Sequence, residues 1–240
     1  MIKLLGVPYD ENSSFLKGAA LAPPVIRQME ADGSANTFSE DLMEFSTGKT
    51  YLDGGDLLLS GLKPRAAYEE IKRAVGAELD SGHNLICLGG DHSVSFPIIE
   101  AHSQRFEKLN ILHFDAHPDL YDNFEGNPFS HASPFARLME LGTIGSLTQV
   151  GIRTLNPHQR EQAERFSVNV CEIKDFSYDF IAKLEAPLYV SIDIDALDPA
   201  FAPGVSHHEP GGMSSREMIK AIQSIPFSII GADIVEYNPT

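Results

Sequence analysis

Ile111-Leu112-His113-Phe114-Asp115-Ala116-His117-Pro118-Asp119 is a short, mostly apolar run that ends in three side chains able to bind a metal ion. A run of this length, rich in branched residues and bounded by Asn110 and Pro118, reads as a buried strand. Asp115, His117 and Asp119 alternate along the chain, so on extended backbone all three turn to one face. The arrangement recurs twice. Leu85–Leu88 leads into Gly89-Gly90-Asp91-His92-Ser93, and Leu188–Ile192 leads into Asp193-Ile194-Asp195-Ala196-Leu197-Asp198-Pro199, where Asp193 and Asp195 keep the same two-residue period. Open parallel sheets bind ligands at the carboxyl ends of their strands, so the three clusters are predicted to converge on one rim.

Working outward, strand-like and helix-like segments alternate, the signature of an α/β fold with a mostly parallel central sheet between helical layers. Further strands are expected at Lys3–Gly6, Leu147–Val150, Val168–Cys171 and Phe227–Gly231. From Pro64 to about Asp80, Tyr68, Ile71, Val75 and Leu79 recur at helical steps, which predicts an amphipathic helix. A helix is expected from about Pro97 to Phe106. Asn156-Pro157 opens another that runs to about Phe166, and Ser214 with Glu217 is spaced as a capping box for a helix over about 215–224. Asp10–Ala22, Ser34–Lys49, Tyr121–Ser130 and Asp198–Gly212 lack sustained periodicity and are assigned to loops.

At 240 residues and 42% hydrophobic content, the chain is long enough for one sizeable core, and residues 1–240 read as a single domain. A net charge of −16 excludes a phosphate-tracking nucleic-acid binder and suits a small cationic substrate. The apolar start before Pro8 is too short for a secretory or membrane segment, so a cytoplasmic location with no membrane partner is the expectation. Cys87 and Cys171 fall within predicted strands and read as reduced thiols.

Asp115, Asp119, Asp193 and Asp195 with His92 and His117 make four carboxylates and two imidazoles. That set is too oxygen-rich for structural zinc and too nitrogen-bearing for calcium. Mn²⁺ fits best, with Fe²⁺, Co²⁺, Ni²⁺ and Zn²⁺ as competitors. Four carboxylates around one dication would leave two negative charges uncompensated, whereas two dications neutralise them. A pair about 3.5–4 Å apart lowers the pKa of a shared water enough to make hydroxide near neutral pH. A two-metal phosphoesterase would place Arg or Lys beside these motifs, and none stands there. A catalytically silent, metal-dependent assembly protein is the reading left open outside the hydrolases.

The Gly-Gly-Asp-His, Asp-Ala-His-x-Asp and Ser-x-Asp-x-Asp-x-x-Asp-Pro motifs together resemble the arginase/agmatinase (ureohydrolase) family of binuclear manganese enzymes, from about Gly6 to Pro239. Asn127–Ser133 and Ala202–Gly212 look most like the plant-type arginase branch and its bacterial agmatinase-like relatives. The resemblance implies a three-layer arginase-like sandwich and two Mn²⁺. Asp115 and Asp193 would bridge the ions, His92 and Asp119 would complete one ligand set, and His117 and Asp195 the other. It implies that His131 shuttles protons, as departure of an amine requires, and that Glu236 pairs with a planar guanidinium. It also implies trimers or hexamers, and a C-terminal helix that this chain is expected to lack. Asp91 and Asp198 are read as carboxylates that form turns or stand behind ligands, and His207 and His208 as substrate-rim or plain loop residues.

The expected reaction is hydrolysis of a guanidino compound to urea and an amine. Asp122 and Glu125, placed on the loop expected to face the substrate's far end, tilt the reading towards the free ammonium of agmatine. Arginine and formimidoylglutamate are the alternatives.

Overall fold

The computed structural model describes residues 1–34 and 36–240, so Ala35, within the loop expected at Ser34–Lys49, lies outside the described residues. Eight strands form one sheet: β1 (Ile2–Gly6), β2 (Tyr51–Asp56), β3 (Asn84–Leu88), β4 (Leu109–Phe114), β5 (Ile144–Ile152), β6 (Asn169–Glu172), β7 (Leu188–Asp193) and β8 (Ile229–Val235). Their spatial order is β2-β1-β3-β8-β7-β4-β5-β6, and every pairing is parallel. The helices are α1 (Ala22–Ala31), α2 (Pro64–Asp80), α3 (Ser95–Ser103), α4 (Pro134–Glu140), α5 (Pro157–Arg165) and α6 (Ser215–Gln223).

Strand β4 shows why the sheet needs two covering layers. All six of its residues are buried, and alternate ones serve opposite faces. Leu109 and Ile111 join a core with Ile71 and Val75 of α2, Ile98 and Ile99 of α3, and Phe135 of α4. Leu112 and Phe114 join a second core with Met218 and Ala221 of α6 and Phe180. Each fully buried side chain of this size contributes about 1.5–3 kcal/mol, so a strand with both faces covered is a stiff support for the ligand loop at its carboxyl end. Helix ends obey their local signals. The Asn156 side chain accepts from the Gln159 N–H at the start of α5, and Ser214 and Glu217 close a reciprocal capping box on α6.

Three elements carry little periodic signal. Strand β2, Tyr-Leu-Asp-Gly-Gly-Asp, is an exposed edge whose strand neighbour in the sheet is β1; α4 has seven residues, and α1 opens with Pro23-Pro24 in place of a side-chain cap. Strand β8 runs to Val235, four residues beyond the expected end, because Asp233 interrupts an apolar run yet lies inside the sheet. Helix α3 begins and ends earlier than expected, and β5 is nine residues long. Cys87 and Cys171 are unbridged. Among the described residues no helix is long and apolar enough to cross a membrane.

Register brings unlike residues into line. Gln149 on β5 stands beside His113 on β4, His113 beside Ser191 on β7, Ser191 beside Asp233 on β8, and Asp233 beside Cys87 on β3. All five are fully buried. This row crosses the sheet two residues before Asp115 and Asp193, and thus directly beneath the rim.

Candidate metal centre

Three strand ends deliver the candidate ligands. Asp115 follows β4, Asp193 is the last residue of β7, and His92 opens a single 3-10 turn after β3. The Gly89-Gly90 bend makes this possible: a Cβ on Gly90 would stand 1.9 Å from the carbonyl oxygen of Tyr9, so only glycine lets that loop pass. The Gly90 carbonyl accepts from the Glu236 N–H at 2.8 Å, which seats the β8 exit loop on the same bend.

The ligand side chains form two groups that share one carboxylate. His92 Nδ1 lies 3.1 Å from Asp115 Oδ2, 3.0 Å from Asp119 Oδ2 and 3.3 Å from Asp193 Oδ2. None of these contacts satisfies hydrogen-bond geometry, so a buried ring nitrogen points between three carboxylate oxygens without bonding to any. His117 Nδ1 lies 3.0 Å from Asp195 Oδ2 and 3.3 Å from Asp115 Oδ1. Asp115 thus turns one oxygen to each group, and would be shared by both if each group held a cation. Asp193 divides differently: Oδ2 faces His92, while Oδ1 accepts the Asp195 N–H at 2.8 Å. Backbone amides aim two other carboxylates, with the His117 N–H donating to Asp115 Oδ1 and the Ala116 N–H to Asp195 Oδ1. Nitrogen and oxygen donors converging in this way fit two divalent cations.

Electrostatics agree with that fit. Burial, then the charges of Asp195 and Asp115, push the Asp193 carboxyl well above the usual range, and burial followed by Asp115 raises Asp195 to about 6. Burial opposes charge on His92, but the Asp115, Asp119 and Asp193 carboxylates outweigh it and hold the imidazole well above its ordinary value. His117 is raised in the same way by Asp115 and Asp195. Without cations, protons carry the compensating positive charge, so metal binding must displace them.

The buried row supports these ligands from beneath. His92 Nε2 meets Ser191 Oγ at 3.2 Å, and Ser191 Oγ donates to Asp233 Oδ1 at 2.6 Å. Asp233 also accepts from Tyr189 Oη at 2.8 Å and Ser95 Oγ at 3.1 Å. Burial pushes its carboxyl up while these hydroxyls and the charge on His92 oppose the rise. A ligand histidine with an acceptor behind it has a fixed ring plane and tautomer. On the next strand, His113 Nε2 approaches Asp115 Oδ2 at 2.8 Å. Ser191, Asp233, His113 and Gln149 were not assigned roles from sequence. The available signal was a polar residue inside each of several apolar strands.

Above the ligands lies a cavity of about 240 Å³, lined by His117, Asp119, Asp193, Asp195, His131 and Glu236 and walled by Ser14, Tyr121, Phe124, Asn156 and His207, among others. Nδ1 of His131 lies 3.1 Å from Glu236 Oε1, and Nε2 lies 2.8 Å from Ser14 Oγ. Burial would lower the His131 pKa, but the Glu236 carboxylate raises it to about 9. Glu236 Oε1 also accepts the His92 N–H at 2.8 Å, tying the pair to the ligand turn. Asp119 and Glu236 have φ of +50° and +62°, so two cavity residues sit in the left-handed region that non-glycine residues rarely adopt. His207 stacks on His131 with centroids 5.8 Å apart, whereas His208 is exposed and bonds the Pro203 carbonyl.

Other expected residues take up structural positions. Asp91 accepts from the Asn12 and Ser93 amides, and Asp198 from those of Ala200, Gly211 and Gly212; both hold turns. Arg153, unmarked in the sequence, donates to the carbonyls of Asp195 and Glu209 and so pins the loop that carries His207. Asp122 and Glu125 do not line the cavity. Both are exposed, with Asp122 Oδ1 3.4 Å from His158 Nε2, so the acidic groups expected to favour agmatine do not supply the cavity wall, where the acidic residue outside the ligand cluster and Glu236 is Glu209.

Comparison with known proteins points the same way. The family model described as the Arginase family matches residues 1–240. Arginase 1, mitochondrial, of Arabidopsis thaliana is 43% identical over 250 residues, covering 98% of this chain and 73% of that protein. An agmatinase of Bacillus anthracis is 33% identical over 244 residues, covering 99% and 83%. The solved arginase from Medicago truncatula superposes with a TM-score of 0.93 at 41% identity, covering 99% of this chain and 79% of that one. With the family's pattern along its whole length, an all-parallel sheet and a paired ligand cluster at the sheet's rim, this chain belongs to the arginase family of binuclear-metal hydrolases.

Proposed function

We propose that this chain hydrolyses the guanidinium group of arginine to urea and an amine, using two Mn²⁺ ions held by His92, Asp115, His117, Asp119, Asp193 and Asp195. The carrying observation is the division of Asp115 between two ligand groups directly below the His131–Glu236 pair. When bound, the cation pair supplies Lewis-acid activation of a water at neutral pH and offsets charge that develops on the attacked carbon's substituents. The Glu236 carboxylate faces the cavity and fits a planar cation. His131, held protonated near pH 7 by Glu236, is the proton source for the departing nitrogen. Phe124 and Tyr121 give the substrate's methylene chain an apolar wall.

Arginine is preferred to agmatine on two grounds. Identity to plant arginases is higher than to bacterial agmatinases, and the cavity wall carries, besides Glu209, the neutral polar groups Tyr121 and Asn156, which fit a substrate carboxylate. Asn156 Nδ2 donates to Tyr121 Oη at 2.5 Å, which leaves the phenolic O–H to donate to a substrate carboxylate. The test is product analysis of Mn²⁺-loaded protein with arginine, agmatine and formimidoylglutamate. Urea from arginine with the highest kcat/KM is expected. Faster turnover of agmatine would overturn the substrate assignment, and no turnover of any of the three would overturn the activity.

A further inference from the structure

The arrangement of β4 and β5 bears on a third imidazole that lies close enough to the cluster to be mistaken for a ligand. His113 Nε2 is 2.8 Å from Asp115 Oδ2, and His92, His113 and Asp115 meet the distance requirement for holding an ion together. Its other ring nitrogen decides the matter. Gln149 Nε2 lies 2.6 Å from the Pro118 carbonyl and 3.0 Å from His113 Nδ1. A proline carbonyl only accepts, so the amide atom facing it must be the NH₂ group. The same NH₂ then spends its second hydrogen on His113 Nδ1, which must accept. A neutral imidazole with an acceptor at Nδ1 carries its proton on Nε2.

We propose that His113 is a positioning residue: a donor fixed in its Nε2–H tautomer by Gln149, which orients the shared carboxylate Asp115 and does not itself bind metal. Nothing in this pairing can rearrange cheaply. His113 and Gln149 are fully buried, in register on adjacent strands, and the His113 ring stacks on Phe135 with centroids 3.8 Å apart. The Pro118 carbonyl that sets the amide belongs to the Asp115–Asp119 ligand loop, so the relay begins and ends on the segment it steadies. Such outer partners are worth about 10–100-fold in metal affinity.

The inference rests on the metal reading above, and its test separates the two. ¹⁵N-histidine NMR of the wild-type chain, metal-free and loaded with diamagnetic Zn²⁺, reads the tautomer directly. The proton on Nε2 in both states is expected. A proton on Nδ1, or loss of the Nε2 proton on adding Zn²⁺, would overturn the proposal. In parallel, Mn²⁺ stoichiometry and Kd are measured by chelator competition for wild type, His113→Phe and Gln149→Leu, with thermal unfolding confirming that each variant folds. Two ions at saturation and a Kd weakened about 10–100-fold are expected for both variants. Loss of one ion in His113→Phe would make His113 a ligand, and unchanged Kd values would deny it any role. If wild type bound no ion, the metal reading would fail first, whatever the NMR showed.

Discussion

The two halves of the proposed metal site share Asp115 but differ in depth and in what stands behind them. His92 is fully buried, its amide held by Glu236 and its ring backed by Ser191, Asp233 and Tyr189. His117 has a quarter of its side chain exposed, lines the cavity, and has Glu209 as an outer neighbour, 3.7 Å away and itself partly exposed. The deep half is built into the sheet, and so is preorganised before a cation arrives. The outer half is organised by loops, and so is the half that opens to the cavity. Coupling of the two through one carboxylate explains how a rigid support and an open coordination face coexist.

The largest effect should come from breaking what the halves share. Asp115→Asn removes a charge from both groups, and we expect loss of both ions and of urea production, read by elemental analysis and a urea assay. Retention of two ions would dissolve the idea of a shared carboxylate. Next in size, His131→Asn should lower kcat by about 10²–10⁴-fold with the metal content intact, since it touches neither half. The wild-type rate should also fall as pH rises past about 9, where His131 loses its proton.

Ser191→Ala probes the deep half alone. Mn²⁺ affinity should weaken by about 10–100-fold for one ion of the two, whereas Glu209→Gln at the outer half should change affinity by less than about tenfold. Equal effects, measured by chelator competition, would show that burial does not distinguish the halves. Glu236→Gln should raise KM for arginine. Because Gln keeps an acceptor for the His92 N–H, ion content should hold, while Glu236→Ala should also weaken binding at the deep half.

The smallest expected effect concerns acid. His102 packs edge-on against Tyr189, centroids 4.8 Å apart, and burial lowers its pKa to about 4. Between pH 6.5 and 4 the unfolded chain takes up this proton and the folded one does not, so stability is full above 6.5 and declines as pH falls through that window. Metal-free unfolding midpoints should fall over this range in wild type and fall less in His102→Leu. Identical pH profiles would mean that the support beneath the deep half is not acid-sensitive.

Legibility in the sequence tracked how local each signal was. Strands β3, β4 and β7 were visible because both faces are covered, which leaves nearly continuous apolar runs, and α2, α5 and α6 because proline or a cap marks their starts. Edge strand β2 was invisible because exposed Asp and Gly residues carry no period, and β8 was expected to end at Gly231, short of Asp233, whose burial depends on hydroxyls from two other elements, β7 and α3. Asp122 and Glu125 misled because a loop's sequence does not state which way it folds over a cavity.

The sequence by itself determined the donor chemistry and its distribution over three strand ends, because alternation on extended backbone and strand termination are properties of a few consecutive residues. Only the tertiary structure decided which carboxylate is shared, which imidazole is buried, and that Gln149, His113, Ser191 and Asp233 form one row beneath the ligands. Those outcomes depend on the register between strands far apart in the chain. Register is set by packing of the whole sheet, and no segment encodes it alone.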